Sequence, residues 1–481
     1  MKLSRPLNFL VRLISISASF ISFFTCNAQE ILSRTGINNN EGKKVKVESI
    51  VITGNKVTHN YIIRRELNFK EGDSLETSGL NTQLELCRER VYNTTLFVEV
   101  KMSAIILTGS GCTINIVVKE RWYIFPIPQF QLVARSFNEW VHKYHGSLER
   151  VNYGVNFTDN NLTGRRDKLK VSIINGFSQN LSAFYTTPYL DRKLVNGISI
   201  GGGYLRTREI AYLTNYNNQQ LFYKHNDFVT DSWNVTVAYS IRKAITSRQV
   251  FRVRYTVTSI EDSLINIYNP KYFNSQARTK ALPDFYYQLY YDDVDNILYP
   301  LKGVSAKLLI QKRGLGYSGS INMFSVFGQL DKYYSLGRKW YAGATIQAQI
   351  KLPFEQPYIN QRALGFEENY LRGLELYVID GVAYTLSKIN FKREILHFTL
   401  PGIKGSKTYK KIPFTIYAKA FSDLGYVYAK KVNAGMLNNK FLYTGGFGLD
   451  FVTLYDFHIR LEYSFNQIGE NGLFLHNGSG L

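Results

Sequence analysis

Three observations predict a transmembrane β-barrel of about sixteen antiparallel strands behind one small α+β module. From about Phe125 onward, short segments alternate polar and apolar residues and are divided by Gly, Asn and Asp clusters. Tyr and Phe are abundant, 35 and 31 of 481 residues, against 4 Trp. Such a load suits aromatic girdles at two bilayer interfaces, and strand-rich structure generally. Finally, the N-terminus reads as an export signal, while no later segment has the ~20 consecutive apolar residues of a spanning helix. An exported chain of this kind enters a membrane as a barrel or through a lipid anchor.

Taken in order, residues 1–28 are a signal peptide. Lys2, Arg5 and Arg12 form its basic region, Leu13 to Phe24 its apolar stretch, and Cys26-Asn27-Ala28 a small-residue cleavage site before Gln29. Cys26 keeps a lipoprotein alternative open, although Phe23-Phe24-Thr25 is a poor lipid-attachment context. Residues 29–46, with Asn38-Asn39-Asn40 and Lys43-Lys44, read as a flexible leader.

The α+β module occupies residues 47–122. Val47 to Thr53 alternates as a strand and stops at the turn pair Gly54-Asn55. Thr58 is placed to cap a helix from His59 to Leu67, with Ile62, Ile63 and Leu67 on one face, and Gly72-Asp73 breaks it. A second helix, about Ser78 to Asn93, carries Leu80, Leu84, Cys87 and Val91 at three- and four-residue spacing. Two strands, Phe97 to Leu107 and Cys112 to Lys119, close the module around Gly109-Ser110-Gly111. Cys87 and Cys112 are the cysteines outside the signal. Export permits a disulfide between them, and two separately buried thiols fit the sequence as well.

The β-α-α-β-β order resembles a polypeptide-transport-associated (POTRA) domain. The resemblance rests on Ile52-Thr53-Gly54-Asn55, Ile63-Arg64-Arg65-Glu66-Leu67, Gly72, Arg90-Val91-Tyr92-Asn93, Leu96-Phe97 and Val117-Val118-Lys119-Glu120. Its signature positions are Gly54, Asn55, Arg65, Leu67, Tyr92, Asn93 and Phe97.

Residues 123–481 form the barrel. His458 to Phe465 places His, Arg, Glu and Ser on one face and Ile, Leu, Tyr and Phe on the other. Thr345, Gln347, Gln349 and Lys351 oppose Ala344, Ile346, Ala348 and Ile350, and Lys168, Lys170 and Ser172 oppose Leu169, Val171 and Ile173. In a soluble sheet the apolar face would cover a core; in a barrel it meets lipid and the charged face lines a wet lumen. The export signal, the aromatic load and the lack of covering elements favour the barrel, which also leaves such strands without exposed edges. The net charge of +21 falls to +18 without residues 1–28, and its Lys and Arg are spread along alternating strands and not clustered. Lumenal walls and anionic lipid headgroups account for it, and no nucleic-acid partner is expected.

This half resembles the BamA/TamA superfamily of outer-membrane insertases and translocases (outer-membrane protein 85 type). Asp159-Asn160-Asn161-Leu162-Thr163-Gly164 looks like the family's turn after the second strand, and Thr187-Pro188-Tyr189-Leu190 like the end of the fourth. The segment Asp295-Asn296-Ile297-Leu298-Tyr299-Pro300-Leu301-Lys302-Gly303 is similar to the hairpin leading into the ninth. Leu371-Arg372-Gly373-Leu374 lies in a long loop, about Leu352 to Asp380, and loops of that length are usually functional. The resemblance implies that Arg372 tips a loop folded into the lumen and pairs with an inner-wall acid, here Asp423 in Phe421-Ser422-Asp423-Leu424-Gly425. A planar guanidinium can bind a carboxylate through two parallel hydrogen bonds, and glycine lets the backbone turn tightly behind it.

Three features depart from the family. Asn390 stands where many relatives have a second acid, so the clamp is expected to rest on one carboxylate. The chain ends at Leu481 instead of an aromatic residue, and one POTRA domain fits where relatives often carry more.

Enzymatic signatures are lacking: there is no Gly-x-Ser-x-Gly, His-Glu-x-x-His, phosphate loop or Cys-x-x-Cys. His142, His145 and Glu139 read as a polar loop, since a metal site needs three or four converging ligands. Gly201-Gly202-Gly203 reads as a strand against something bulky, with no helix after it. No metal or cofactor is expected. The resemblance implies a non-enzymatic assembly, insertion or translocation factor of the bacterial outer membrane, with its POTRA domain in the periplasm. The domain would bind client strands at a sheet edge, and the barrel would open between a first strand near Phe130 and a last near Leu473 to Leu475. Implied partners are outer-membrane lipid or lipopolysaccharide, unfolded outer-membrane or secreted clients, and periplasmic or lipoprotein factors. A secretion pore for one dedicated polypeptide and a purely structural barrel remain as alternatives.

Overall fold

The computed structural model describes residues 44–106, 111–132, 147, 151–316, 321–367, 369–402, 411–430, 435–453 and 457–477. The signal peptide with Cys26, most of the leader, Glu139, His142, His145, Gly478, Gly480 and Leu481 lie outside the described residues.

The N-terminal module runs β1 (Lys44–Thr53), α1 (Asn60–Arg64), β2 (Ser74–Glu76), α2 (Leu80–Tyr92), β3 (Phe97–Ile106) and β4 (Gly111–Glu120). Its sheet order is β2-β1-β4-β3, with β1 parallel to β4 and β3 antiparallel to it. The two helices cover one face, where Ile62, Ile63, Leu84, Cys87 and Val91 meet Val47, Phe97, Ile114 and Ile116 in one apolar core. Both thiols are free and buried in that core, so of the two arrangements open from sequence the unbonded one is present.

Two local expectations are corrected. The first helix stops at Arg64, because the N–H groups of Glu66 and Leu67 bond to Ile63 and Arg64, three residues back, and tighten the chain out of the α-helix. Thr58 does not cap it: His59 holds that position without a side-chain bond, and the Thr58 hydroxyl is shared between Tyr123 and Asn161. The three-residue β2 is an additional edge strand, antiparallel to β1, that the sequence did not announce.

Sixteen antiparallel strands follow. They are β5 (Ile124–Leu132), β6 (Val151–Asp159), β7 (Lys168–Gly176), β8 (Ser178–Thr187), β9 (Asn196–Thr207), β12 (Thr230–Ile241), β13 (Ser247–Ile260), β14 (Thr279–Val294) and β15 (Gly303–Arg313). The second half is β16 (Met323–Gly337), β17 (Trp340–Leu352), β20 (Ala383–Pro401), β21 (Lys411–Tyr428), β22 (Phe441–Val452), β23 (His458–Asn466) and β24 (Asn471–Asn477). Two loop hairpins complete the list, β10 (Glu209–Thr214) with β11 (Gln220–Lys224), and β18 (Arg362–Leu364) with β19 (Ile379–Asp380).

The two faces of the strands behave as their alternation demands. On β13, Phe251, Val253 and Tyr255 are exposed while Arg252 and Arg254 between them are half-covered. On β23, His458, Arg460, Glu462 and Ser464 are all buried on the inner side, and Ile459 and Phe465 point out. An apolar exterior over a charged interior is the arrangement of a lipid-embedded barrel. In the glycine run of β9, a Cβ on Gly201 would lie 2.3 Å from the Phe184 ring, the bulky neighbour expected there.

The order of the sheet ends with β5 on one side and β24 on the other. Among the described residues, no ladder joins these two strands.

Candidate functional site: a lumenal loop clamp and a docked N-terminal module

The long loop between β17 and β20 folds into the barrel. Leu371 and Leu374 flank the tip and are buried with Leu364, Leu386, Val427 and Leu442, so apolar burial delivers the segment into the lumen. Gly373 has φ +89, and a Cβ there would lie 2.9 Å from the Ser464 Cβ. Glycine is therefore required both by the turn and by the close approach to β23.

Arg372, 1% exposed, meets Asp423 on β21, which is fully buried. Its backbone N–H and its Nε donate to Asp423 Oδ2 at 2.9 and 3.0 Å, and its Nη2 donates to Oδ1. Nη1 donates to Asn390 Oδ1 on β20 at 2.5 Å. The guanidinium also lies 4.0 Å from the centroid of the Phe421 ring, within cation–π range. Glu462 on β23 stands 3.6 Å from Nη1. The expectation of a clamp on one carboxylate is thus too narrow: a second acid, Glu462, stands beside the guanidinium. Glu462 lay on the polar face of His458 to Phe465 all along, but only the pairing of β20, β21, β22 and β23 carries that face to Arg372.

From Glu462 a chain of charges runs back along the lumen. Lys419 Nζ lies 2.7 Å from Glu462 and 2.5 Å from Asp450, and Lys392 Nζ lies 3.1 Å from Asp450. The Tyr299 hydroxyl donates to Asp450 Oδ2 at 2.7 Å. These ions sit out of water, where an unpartnered charge would cost several kcal/mol, and alternating sign is what makes their burial affordable.

Tyr299 belongs to the hairpin 295–303. Asp295 Oδ1 accepts the N–H groups of Leu301 and Lys302, both at 3.0 Å, and Asn296 Oδ1 accepts that of Leu298 at 2.9 Å. Pro300 fixes the backbone between them. Gly303 has φ +114 and a Cβ there would fall 2.1 Å from the Asp293 carbonyl. The hairpin's outer side holds the N-terminal module: Asn93 Nδ2 donates to the Val294 carbonyl at 2.8 Å, and Asn93 Oδ1 accepts the Ile297 N–H at 2.9 Å.

The other two turn motifs hold the module as well. Asn161 donates to the Thr58 hydroxyl at 3.0 Å, and the Gly164 carbonyl accepts the His59 N–H at 3.0 Å. Arg65 lies over the Tyr189 ring and donates to the Leu194 and Arg242 carbonyls. Glu66, 1% exposed, receives both Nη groups of Arg242 at 2.6 and 2.8 Å. Burial alone would raise the Glu66 carboxyl; the bonds from Arg242, with Arg166 and Arg65 nearby, outweigh it and hold the carboxyl below the ordinary range. Sequence reasoning quoted Glu66 in a signature without a role and passed over Arg242, whose partner lies 176 residues away.

The remaining signature residues act inside the module. Gly54, φ +93, leaves no room for a Cβ against the Val118 carbonyl, and Asn55 Nδ2 donates to the Thr58 carbonyl at 2.8 Å. Leu67 and Phe97 lie in the core, and Tyr92 carries the Arg121 guanidinium on its ring. Cys87 donates its thiol to Asn68 Oδ1. Among the described residues, no group of three or more His, Cys, Asp or Glu side chains converges as a metal site would require.

A polar cavity of about 550 Å³ lies beside the loop, lined in part by Lys307, Gln329, Gln347, Tyr370, Lys388 and Arg460. At the end away from the module, the turn of the β10–β11 hairpin interlocks with two other loops. Asn218 there exchanges bonds with Val378 and accepts the Leu437 N–H.

Two family models match this chain. The POTRA family, described as "Surface antigen variable number repeat", matches residues 45–121. The Omp85 superfamily domain matches residues 149–374. The outer membrane protein assembly factor BamA of Neorickettsia risticii (strain Illinois) is 23% identical over 276 residues, covering 57% of this chain and 33% of that protein. This chain therefore spans about a third of that curated relative's length. Among solved structures, BamA from Haemophilus ducreyi lacking POTRA domains 1–3 has a TM-score of 0.48 at 16% identity, covering 90% of this chain and 84% of that one. CdiB from Escherichia coli has a TM-score of 0.49 at 12% identity, covering 99% and 98%.

Proposed function

We propose, from the premise that this chain belongs to the Omp85 superfamily with one POTRA domain, that it is a non-enzymatic assembly or translocation factor whose barrel opens between its first and last strands. It resides in the bacterial outer membrane. The observation that carries the reading is the seam. β5 and β24 end the sheet order with no ladder between them among the described residues, so few backbone hydrogen bonds oppose their separation. Pro126 and Pro128 remove two N–H donors from β5, and Gly472 lowers the strand preference of β24. Along the rest of the barrel, every strand is laddered on both sides, and parting any other pair costs many bonds at once.

The POTRA domain supplies the capture surface. β3 is the long edge of its sheet, with Ile105 and Ile106 exposed, and an extended client can add to such an edge through backbone bonds without strict sequence choice. Clients are unfolded outer-membrane or secreted chains, and periplasmic or lipoprotein factors would meet the same domain on the periplasmic side. The proposed organisation is a signal peptide over 1–28, a leader over 29–46, the POTRA domain over 47–122 and the barrel over 123–481. In it the Arg372–Asp423 clamp holds the lumenal loop against the wall, so that the seam opens beside a fixed interior.

The test is client folding in liposomes containing the mature protein, beside an Arg372→Ala variant and empty vesicles. Acceleration by the wild type, reduced in the variant, is expected. Folding no faster than in empty vesicles would reject the assembly reading. A second reading, a secretion pore, is favoured by the polar lumenal cavity. It requires the loops joined at Asn218 to part, and predicts a large conductance that changes when the 352–380 loop is deleted.

A further inference from the structure

The loop that carries Arg372 reaches past the wall and touches the last strand. We propose that His476 is the positioning residue through which this loop grips β24, and that the grip tightens when the imidazole takes up a proton. The proposal rests on the reading that the barrel opens between β5 and β24.

His476 is the only ionisable residue of β24, and its side chain faces inward while Leu473 and Leu475 point out. Its Nε2 stands 3.0 Å from Glu375 Oε1 on the loop and 3.3 Å from Glu462 Oε2 on β23. Its ring stacks on Tyr370 of the loop, with centroids 5.7 Å apart, and Nδ1 is 3.3 Å from the Tyr370 hydroxyl. The same loop holds the β23–β24 hairpin at two further points. Asn466 Nδ2 donates to the Gly373 carbonyl at 2.8 Å, and the Tyr377 hydroxyl donates to Glu470 Oε1 at 2.7 Å. The loop is therefore a strap with one end on Asp423 and the other on the strand that borders the seam.

Neither carboxylate meets Nε2 along a hydrogen-bond direction, and Glu375 Oε1 has no hydrogen-bond partner among the described residues, whereas Glu462 Oε1 has Lys419 Nζ at 2.7 Å. What joins His476 to them is Coulombic, so it exists only while the ring is charged. A neutral ring takes the imidazolium from Glu375, while Glu462 keeps Lys419 at 2.7 Å. The groups facing His476 are Glu375 and Tyr370 from the loop, and Glu462 and Arg460 from β23, Arg460 being directly opposite in register. Behind them stand Arg372 and Lys419 beside Glu462, and Lys388 over the Tyr370 ring. β24 needs such a hold because it is laddered on one side alone among the described residues, and a strand of that kind frays at low cost.

The experiment is hydrogen exchange of the 471–477 amides in the full-length protein in lipid nanodiscs, corrected for intrinsic rates, at pH 5.5 and pH 8. Wild-type β24 is expected to exchange more slowly at pH 5.5, on the order of tenfold relative to β20 and β21, as loss of one charge-assisted contact would give. His476→Gln should exchange fast at both pH values, and His476→Lys, which keeps the charge, slowly at both. Glu375→Gln reaches the same contact from the loop side and should reproduce His476→Gln. Equal β24 protection in wild type and His476→Gln, or a pH dependence that survives in His476→Gln, overturns the proposal. Client folding is measured on the same samples. A β24 response without a folding response leaves the grip standing and sinks the opening seam, while an unresponsive β24 sinks the grip whatever the clients do.

Discussion

Replacing Asp423 with alanine removes the partner of three N–H groups of Arg372 at once, one from the backbone and two from the guanidinium. Breaking one side of a buried pair costs about 3–5 kcal/mol, because the other charge stays behind without its counter-ion. Here Asn390 keeps its bond to Nη1, and Glu462 stands 3.6 Å away with a charge of the right sign. The expected loss is therefore at the low end, about 3 kcal/mol, which is somewhat more than a hundredfold in the undocked population of the loop. Hydrogen exchange of amides 371–377 in lipid reads that population directly. Arg372→Ala should cost a similar amount, and the double variant little more than either, with a coupling of about 2–3 kcal/mol in the cycle. Single losses under about 0.5 kcal/mol, or strict additivity, would show that the pair is a bystander and that apolar burial of Leu371 and Leu374 alone places the loop.

Docking of the POTRA domain should depend on pH through Glu66. Its carboxyl titrates lower when docked than when free, so it stabilises docking above the ordinary value of about 4.3 and loses that contribution as pH falls below it. Fluorescence transfer between labels on the two domains should stay constant from pH 8 to 5 and fall below about pH 4; Glu66→Gln should lower the plateau and flatten the fall. Gly373→Ala forces a side chain into positive φ and against Ser464, at a cost of about 1–3 kcal/mol. Ser464→Gly should recover the steric share and leave the backbone share, seen in the same exchange assay. Asn93→Ala frees the 294–297 backbone and should raise proteolytic nicking of that hairpin severalfold. Since Cys87 and Cys112 are free thiols, reductant should leave the melting temperature within a degree or so, and both should resist alkylation until the module unfolds.

Sequence by itself determined the class of fold and the chemistry of its two faces. Alternation with period two says which side chains share a face, and the absence of long apolar helices leaves strands to cross the membrane, so about sixteen strands and a charged lumen were legible in the residues alone. Turn chemistry was legible too: Gly54, Gly303 and Gly373 mark positive φ, and Asp295 and Asn296 carry side chains of the right length to hold a hairpin. Partners remote in the chain were not. Glu66 with Arg242, Asn93 with Val294, and His476 with Glu375 are set by strand order and register. A pairing separated by about a hundred residues or more leaves no local pattern, because either side chain would suit an exposed surface equally well. Family resemblance supplied Arg372 with Asp423, yet it pointed to Asn390 as a missing acid and gave no hint of Glu462. Tertiary structure decided that point, since pairing β20 to β23 side by side brings the inner face of β23 to within reach of a loop that begins after β17.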